Sequence, residues 1–212
     1  YIPVADRDLR NGKWTKNKLR GTELYGKNIG FIGYGRIAQG VGRVARVLGM
    51  NLYAYDPYMP EIIAKEQGCV LFDDVLELFR TCTHIAVHCN LTDETRHLVN
   101  TDTLSLMPTI GADGIACGNH LVSCARGGIV NEDDVLIALN DGTLTSCALD
   151  VFEVEPEVHH PLLQHPNFHG TPHIGAATHE AQARIGTEMA ELIIQFFNGD
   201  TPKSVVNKDV LK

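Results

Sequence analysis

A chain of 212 residues, 44% hydrophobic and 21% charged, has ordinary globular composition, enough for one large domain or a domain and a fragment. Its net charge of −8 argues against a nucleic-acid-binding surface, and no apolar run approaches the roughly 18 residues of a membrane span. Tyr1, Ile2, Pro3 and Val4 open a polar stretch rather than a signal peptide, and the six cysteines form no C-x-x-C pair, so reduced thiols in a cytoplasmic protein are expected.

In chain order, residues 1–22 read as a helix end and a basic loop, with Val4, Leu9 and Trp14 among Arg7, Arg10, Lys13, Lys16 and Lys18. Residues 27–32 are a short apolar strand ending at Gly33. From 36 to 48, Ile37, Val41, Val44, Ala45 and Leu48 recur at helical spacing. A second strand, 51–56, ends in Asp56. A helix follows from Asp73-Asp74 through Phe79, then a strand at 84–88 and a short helix at 101–107. Residues 120–124 are a strand, and 132–139 a helix stopped by Asp141-Gly142. Residues 145–151 are another strand, and 178–197 a long helix stopped by Asn198-Gly199. Strands alternating with helices predict an α/β fold, a Rossmann-like doubly wound parallel sheet with helices on both faces.

The first strand-turn-helix holds Gly30–Ala38 as GFIGYGRIA, a G-x-G-x-x-A form of the dinucleotide fingerprint. Gly33 permits a tight turn, Gly35 clears room for a pyrophosphate, and Ala38 stands where a third glycine is usual. The amides of Arg36 and Ile37 would face the phosphates at the helix N-terminus. Asp56, 23 positions after Gly33, is placed to bind the adenosine ribose hydroxyls and to select NAD over NADP. Ten histidines raise the question of a metal. His165, His169 and His173 lie four apart, but Pro166, Gly170 and Pro172 break any helix there, and no metal is expected.

Three polar groups sit in or beyond the late strands: Arg126 in CARGGIV, Glu155 in ALDVFEVEP and His173 in TPHIGAAT. In an open α/β sheet, ligands bind outside the carboxyl ends of the strands. There an Arg can fork a carboxylate, a His can pass a hydroxyl proton and a Glu can orient the His.

The stretches GFIGYGRIA, CARGGIVNEDDV, ALDVFEVEP and TPHIGAATHEA together resemble the D-isomer-specific 2-hydroxyacid dehydrogenases over almost the whole chain. The resemblance implies that His173 is the general acid/base, Glu155 its partner and Arg126 the substrate anchor. It implies NAD contacts at Gly33, Gly35, Arg36, Ile37, Asp56, Cys89, Cys124, Ala125, Arg126, Asp150, His173 and Gly175. The partners it implies are a small 2-hydroxy or 2-keto acid and a second copy in a homodimer, with neither nucleic acid nor membrane. Residues 1–22 would be the remnant of a substrate-domain crossover helix and linker, 23–178 the NAD-binding domain, and 179–212 a C-terminal helix and tail packing back toward a first domain. The family's chain normally begins with a further segment that forms most of a substrate domain.

Two departures stand out. Ser123 replaces a common Asn, and residues 108–119 look about eight residues longer than the family's link, within ordinary loop variation. A second reading is an NAD(H)-sensing corepressor of the same fold, suggested by His88-Cys89-Asn90-Leu91 and Val206-Asn207-Lys208-Asp209. Against it, that branch places a Trp soon after the catalytic His, and the one Trp here is Trp14. A third reading is an isolated NAD-binding module.

Overall fold

The computed structural model describes residues 1–202 and 204–211; Lys203 and Lys212, in the expected tail, lie outside the described residues. The chain divides into two compact units, Tyr1–Pro172 and His173–Lys212. The first unit is built on a seven-stranded, all-parallel sheet, with strands β1 (Asn28–Ile32), β2 (Asn51–Tyr55), β3 (Cys69–Leu71), β4 (His84–Val87), β5 (His120–Ser123), β6 (Ser146–Leu149) and β7 (Phe168–Gly170). They lie in the order β3-β2-β1-β4-β5-β6-β7, so the winding direction reverses between β1 and β4. The doubly wound sheet expected from the alternation of elements is present.

Its helices are α1 (Ile2–Arg10), α2 (Arg36–Val47), α3 (Glu61–Glu66), α4 (Val75–Thr81), α5 (Thr101–Ser105) and α6 (Glu132–Asp141). Successive side chains of a strand point to opposite faces, and on β1 both faces are dry. Phe31 packs with Ala38, Ala45, Leu52 and Ala54 on one side. Ile32 packs with Leu78, Phe79, Val87 and Leu121 on the other. The first core is lined by small residues of α2, which brings that helix close to the sheet. The second unit is built on α7 (His179–Phe197), where the Thr178 hydroxyl accepts the Ala181 N–H at 3.1 Å. Among the described residues, no helix is long and apolar enough to cross a membrane.

The pattern reading left out three short elements. Strands β3 and β7 have three residues each, too few for alternation to register, and α3 is a helix of six. Residues 165–173 form no helix, as expected, but the strand β7 within them went unread; it pairs Phe168 with Cys147 and Gly170 with Leu149. Pro166 and Pro172 stand outside that strand, so they remove no bond from its ladder.

The long link at 108–119 folds into a small hairpin on the amino-terminal edge of the sheet. Ile110 bridges Ala116, and the Gly111 N–H donates to Ile115 O at 2.8 Å. Asp113 in the hairpin takes the ammonium of Lys27, whose side chain is only 2% exposed. The buried Lys27 ammonium holds the Asp113 carboxyl below the usual carboxylate range. Beside this pair, the rings of His84 on β4 and His120 on β5 lie tilted against each other with centroids 4.7 Å apart. Burial, the neighbouring His120 and Lys27 lower the His84 pKa to about 4.

This lowering makes His84 an acid-sensitive point. The folded pKa lies below the unfolded value near 6.5, so the contribution is complete above about 6.5 and is lost as pH falls toward 4. The wild-type chain should lose on the order of 2 kcal/mol of stability over that range relative to His84→Phe. Urea denaturation of both proteins between pH 7 and pH 4 checks this, and parallel pH profiles would contradict it.

Candidate cofactor and substrate site

Because every strand is parallel, their carboxyl ends share one edge, and most of the residues expected to act are there. The turn after β1 is the tightest part. Gly33 has φ +85, and a β-carbon on it would lie 2.9 Å from the Cys89 backbone at the end of β4. Only glycine satisfies both the left-handed conformation and that approach. Gly35 is different: its φ is −72, and an added β-carbon would meet nothing within 4 Å. Packing gives no reason for a glycine there, and the space before it is open.

Gly35 is also the N-cap of α2, and no side chain caps that helix. Helices α4, α5, α6 and α7 are each capped by a side chain, from Asp74, Asn100, Asn131 and Thr178 respectively. The first-turn amides of a helix have no intrahelical acceptors, and the helix dipole favours an anion beside them. A cap left open before a cleared space is what a pyrophosphate needs. Ala38, in the third fingerprint position, is fully buried, so a methyl is the largest group the packing shows there.

Asp56, one residue past β2, is turned toward this site. One carboxylate oxygen accepts the Tyr34 N–H at 2.8 Å and the other the Tyr58 N–H at 3.0 Å. Both bonds orient the carboxylate and leave lone pairs for further donors. Cys89 lies partly buried at the end of β4. Burial pushes its thiol up to about 11, with the Asp56 charge adding in the same direction.

On the other half of the edge, Ser123 ends β5 and leads to Cys124, Ala125 and Arg126. Cys124 and Arg126 are exposed and Ala125 is buried. The Arg126 guanidinium donates to Ala125 O at 2.6 Å. Asp150, just past β6, is buried; its backbone N–H donates to Ser123 O at 2.9 Å, and its carboxylate accepts the Thr171 hydroxyl. Glu155 folds back so that Oε1 accepts the Phe152 N–H at 2.9 Å. The Arg126 and Glu155 segments touch directly, since any β-carbon on Gly127 would run into the carbonyl of Phe152. The backbone just after Arg126 thus lies against the backbone three residues before Glu155.

His173 and Gly175 open the second unit. His173 has φ 54, a left-handed conformation uncommon for a residue with a side chain. Locally the Ala177 N–H donates to Ile174 O at 2.9 Å.

Sequence reading missed a set of polar residues behind Arg126 and Glu155. Glu132, first residue of α6, is 7% exposed, and its carboxylate accepts the Glu153 N–H at 2.6 Å. The Glu153 carboxylate meets the ring of His97 at 3.1 Å and, at 3.4 Å, the Glu132 N–H. The partners are 21 and 56 positions apart, so no local spacing could announce them. Burial raises the Glu132 carboxyl, the Glu153 amide bond opposes that rise, and the Glu153 charge adds to it.

An open sheet with a glycine turn, an open helix cap and an oriented acid at the reversal of strand order defines a dinucleotide-binding domain of the Rossmann class. The comparisons narrow the class. The profile of the D-isomer specific 2-hydroxyacid dehydrogenase, NAD binding domain, matches residues 1–175, and the chain belongs to that family. The chain is 42% identical to a D-3-phosphoglycerate dehydrogenase of Methanocaldococcus jannaschii over 206 residues, covering 97% of this chain and 38% of the relative. It is 39% identical to a hydroxypyruvate reductase of Thermotoga maritima, covering 92% of this chain and 61% of that one. Among solved structures, a glyoxylate reductase from Paecilomyes thermophila superposes with a TM-score of 0.84 at 28% identity, over 97% of this chain and 60% of that one. The chain therefore spans under two-fifths of the length of the phosphoglycerate dehydrogenase it matches.

Open space before Gly35 separates folding from binding. Gly35→Ala should cost no more than about 1 kcal/mol, the cost of a poorer N-cap residue. It should weaken NADH at least about tenfold, because the methyl enters the space cleared for the phosphates. Thermal unfolding and NADH titration of the same sample check this; unchanged NADH affinity would remove Gly35 from the site.

Proposed function

We propose that this chain is the cofactor-binding part of a dehydrogenase that interconverts a D-2-hydroxy acid and its 2-keto acid, with 3-phosphoglycerate as the substrate. The observation that most supports it is the joining of the Arg126 and Glu155 segments on the same sheet edge as the open cap of α2. The substrate assignment is supported by the phosphoglycerate dehydrogenases among the relatives, 42% and 38% identical to this chain. Those relatives are enzymes, and the corepressor reading is not favoured.

Bound NAD supplies the hydride chemistry at its nicotinamide. The chain supplies binding and proton handling. Gly33, Gly35 and the amides of Arg36 and Ile37 hold the pyrophosphate, and Asp56 accepts the ribose hydroxyls. Cys89, Cys124, Ala125, Asp150 and Gly175 complete the cofactor's surroundings. Arg126 forks the substrate carboxylate and withdraws charge from the adjacent carbonyl. His173 takes the hydroxyl proton in oxidation and returns it in reduction, with Glu155 assigned as its carboxylate partner. Its left-handed backbone supports a functional role, since such outliers cluster at active sites.

A working homodimer is supported by α2, which leaves Val44 and Val47 exposed beside Ile37. A cytoplasmic setting is supported by the six cysteines, all of them unpaired thiols. Residues 1–22 are assigned to the remnant of a substrate-domain crossover helix and linker, 23–178 to the NAD-binding domain and 179–212 to a C-terminal helix and tail packing back toward a first domain.

In the full-length protein, His173→Ala should lower kcat about 10²–10⁴-fold and leave NADH affinity near wild type. NADH should bind more tightly than NADPH, whose 2′-phosphate meets the Asp56 charge. Steady-state assays with 3-phosphoglycerate and fluorescence titrations test both. Near-normal turnover by the variant would move the proton donor elsewhere, and tighter NADPH binding would overturn the role of Asp56.

A further inference from the structure

The peptide between Phe152 and Glu153 is held on every side. Its carbonyl lies against Gly127, the residue after Arg126, with no room for a β-carbon between them. Its N–H, on Glu153, donates to the buried Glu132 carboxylate at 2.6 Å. The preceding N–H, on Phe152, donates to the Glu155 carboxylate at 2.9 Å. A displacement of this one peptide therefore moves the backbone that carries Arg126 and the anchor that aims Glu155.

The surroundings tie the same peptide to α6 and to the turn at 97. The Glu153 carboxylate accepts the Glu132 N–H at 3.4 Å, so the two glutamates exchange carboxylate–amide bonds in both directions. The His97 ring meets Glu153 at 3.1 Å, while the His97 N–H donates to Gly128 O at 2.8 Å. The backbone just after Arg126 is thus held at two successive residues, Gly127 against Phe152 and Gly128 by the His97 N–H. Glu132 is the one ionisable side chain of the set that is buried. Burying a carboxylate is costly unless it is bonded, so an apolar residue would suit this place better on packing grounds alone.

We propose that Glu132 is a positioning residue for Arg126 and Glu155, acting through the Phe152–Glu153 peptide. The proposal rests on the reading that Arg126 and Glu155 handle the substrate. Its effect is geometric: small misplacements of catalytic groups can cost on the order of 10²-fold in rate. The bond that matters is an acceptor for one N–H, and a Gln at 132 keeps an acceptor oxygen at nearly the same reach.

The test compares full-length wild-type protein with Glu132→Ala and Glu132→Gln, well below the unfolding temperature of each. Three quantities are read: kcat and KM for the 2-keto acid, NADH affinity, and backbone amide exchange. Glu132→Ala should lower kcat/KM about 10–100-fold, while NADH affinity stays within about threefold because Gly33, Gly35 and Asp56 lie on the other half of the edge. Exchange at Glu153 and at Gly127 and Gly128 should quicken about tenfold or more, with β1 and α2 unaffected. Glu132→Gln should recover most of the turnover and the exchange protection. Turnover by Glu132→Ala equal to wild type would overturn the proposal. Equal damage in both variants, with NADH binding lost in proportion, would also overturn it, as the mark of a general stability role. If the wild-type protein turns over no 2-keto acid, the dehydrogenase reading fails on that result alone. The exchange comparison then decides for Glu132, and unchanged exchange in Glu132→Ala overturns its hold on the peptide.

Discussion

Everything at the site depends on how closely β1 and β4 are joined at their carboxyl ends. The backbone after β1 passes the backbone of Cys89 so closely that only Gly33, in a left-handed conformation, fits between them. Strand order reverses at this seam, so the chain leaves β1 and β4 toward opposite faces and a crevice opens. The tight turn starts α2 directly over the crevice with its cap open, and β2 delivers Asp56 beside it. Relaxing the Gly33 approach would shift the helix terminus and the acid together, because the Tyr34 N–H links the turn to Asp56 at 2.8 Å.

The half of the edge beyond β4 is organised by different forces. Backbone packing against Gly127 and a buried carboxylate, rather than a helix terminus, locate Arg126 and Glu155. That division matches the chemistry each half is given. A pyrophosphate is a diffuse anion recognised by amides and a dipole, whereas a substrate carboxylate beside a reacting carbonyl needs a charged group in a fixed orientation. The opposite edge of the sheet carries the Lys27–Asp113 pair and, beside His84, the ring of His120, which meets Cys117 O; these secure the 108–119 hairpin at the other end of the strands from Gly33.

The cofactor half was legible in the sequence because its determinants are local. Gly33, Gly35, Ala38 and Asp56 fall within one strand-turn-helix-strand unit, and the periodicity of α2 is carried by residues three and four apart. Helices α6 and α7 were readable from their stops, Gly142 with φ 81 and Asn198-Gly199. Strands β3 and β7 and helix α3 were not, since three residues are too few for alternation to register and six make less than two helical turns. Asp113 on Lys27 was hidden because the pair is 86 positions apart, and Glu132 because an acid in the first turn of a helix already has a local reason in the helix dipole. Long-range polar bonds leave no periodic trace, and these are what hold the substrate half.

The open cap of α2 is assigned to the cofactor's pyrophosphate, and Asp56 to its ribose. The most direct test is an NADH titration of the 15N-labelled chain followed by amide chemical shifts. The largest shifts are expected at the amides of Gly35, Arg36 and Ile37, with Asp56 and Cys89 next. His84, His120 and residues 108–119 on the opposite edge should be nearly unmoved. Shifts centred elsewhere, with the first turn of α2 unchanged at saturating NADH, would contradict that assignment.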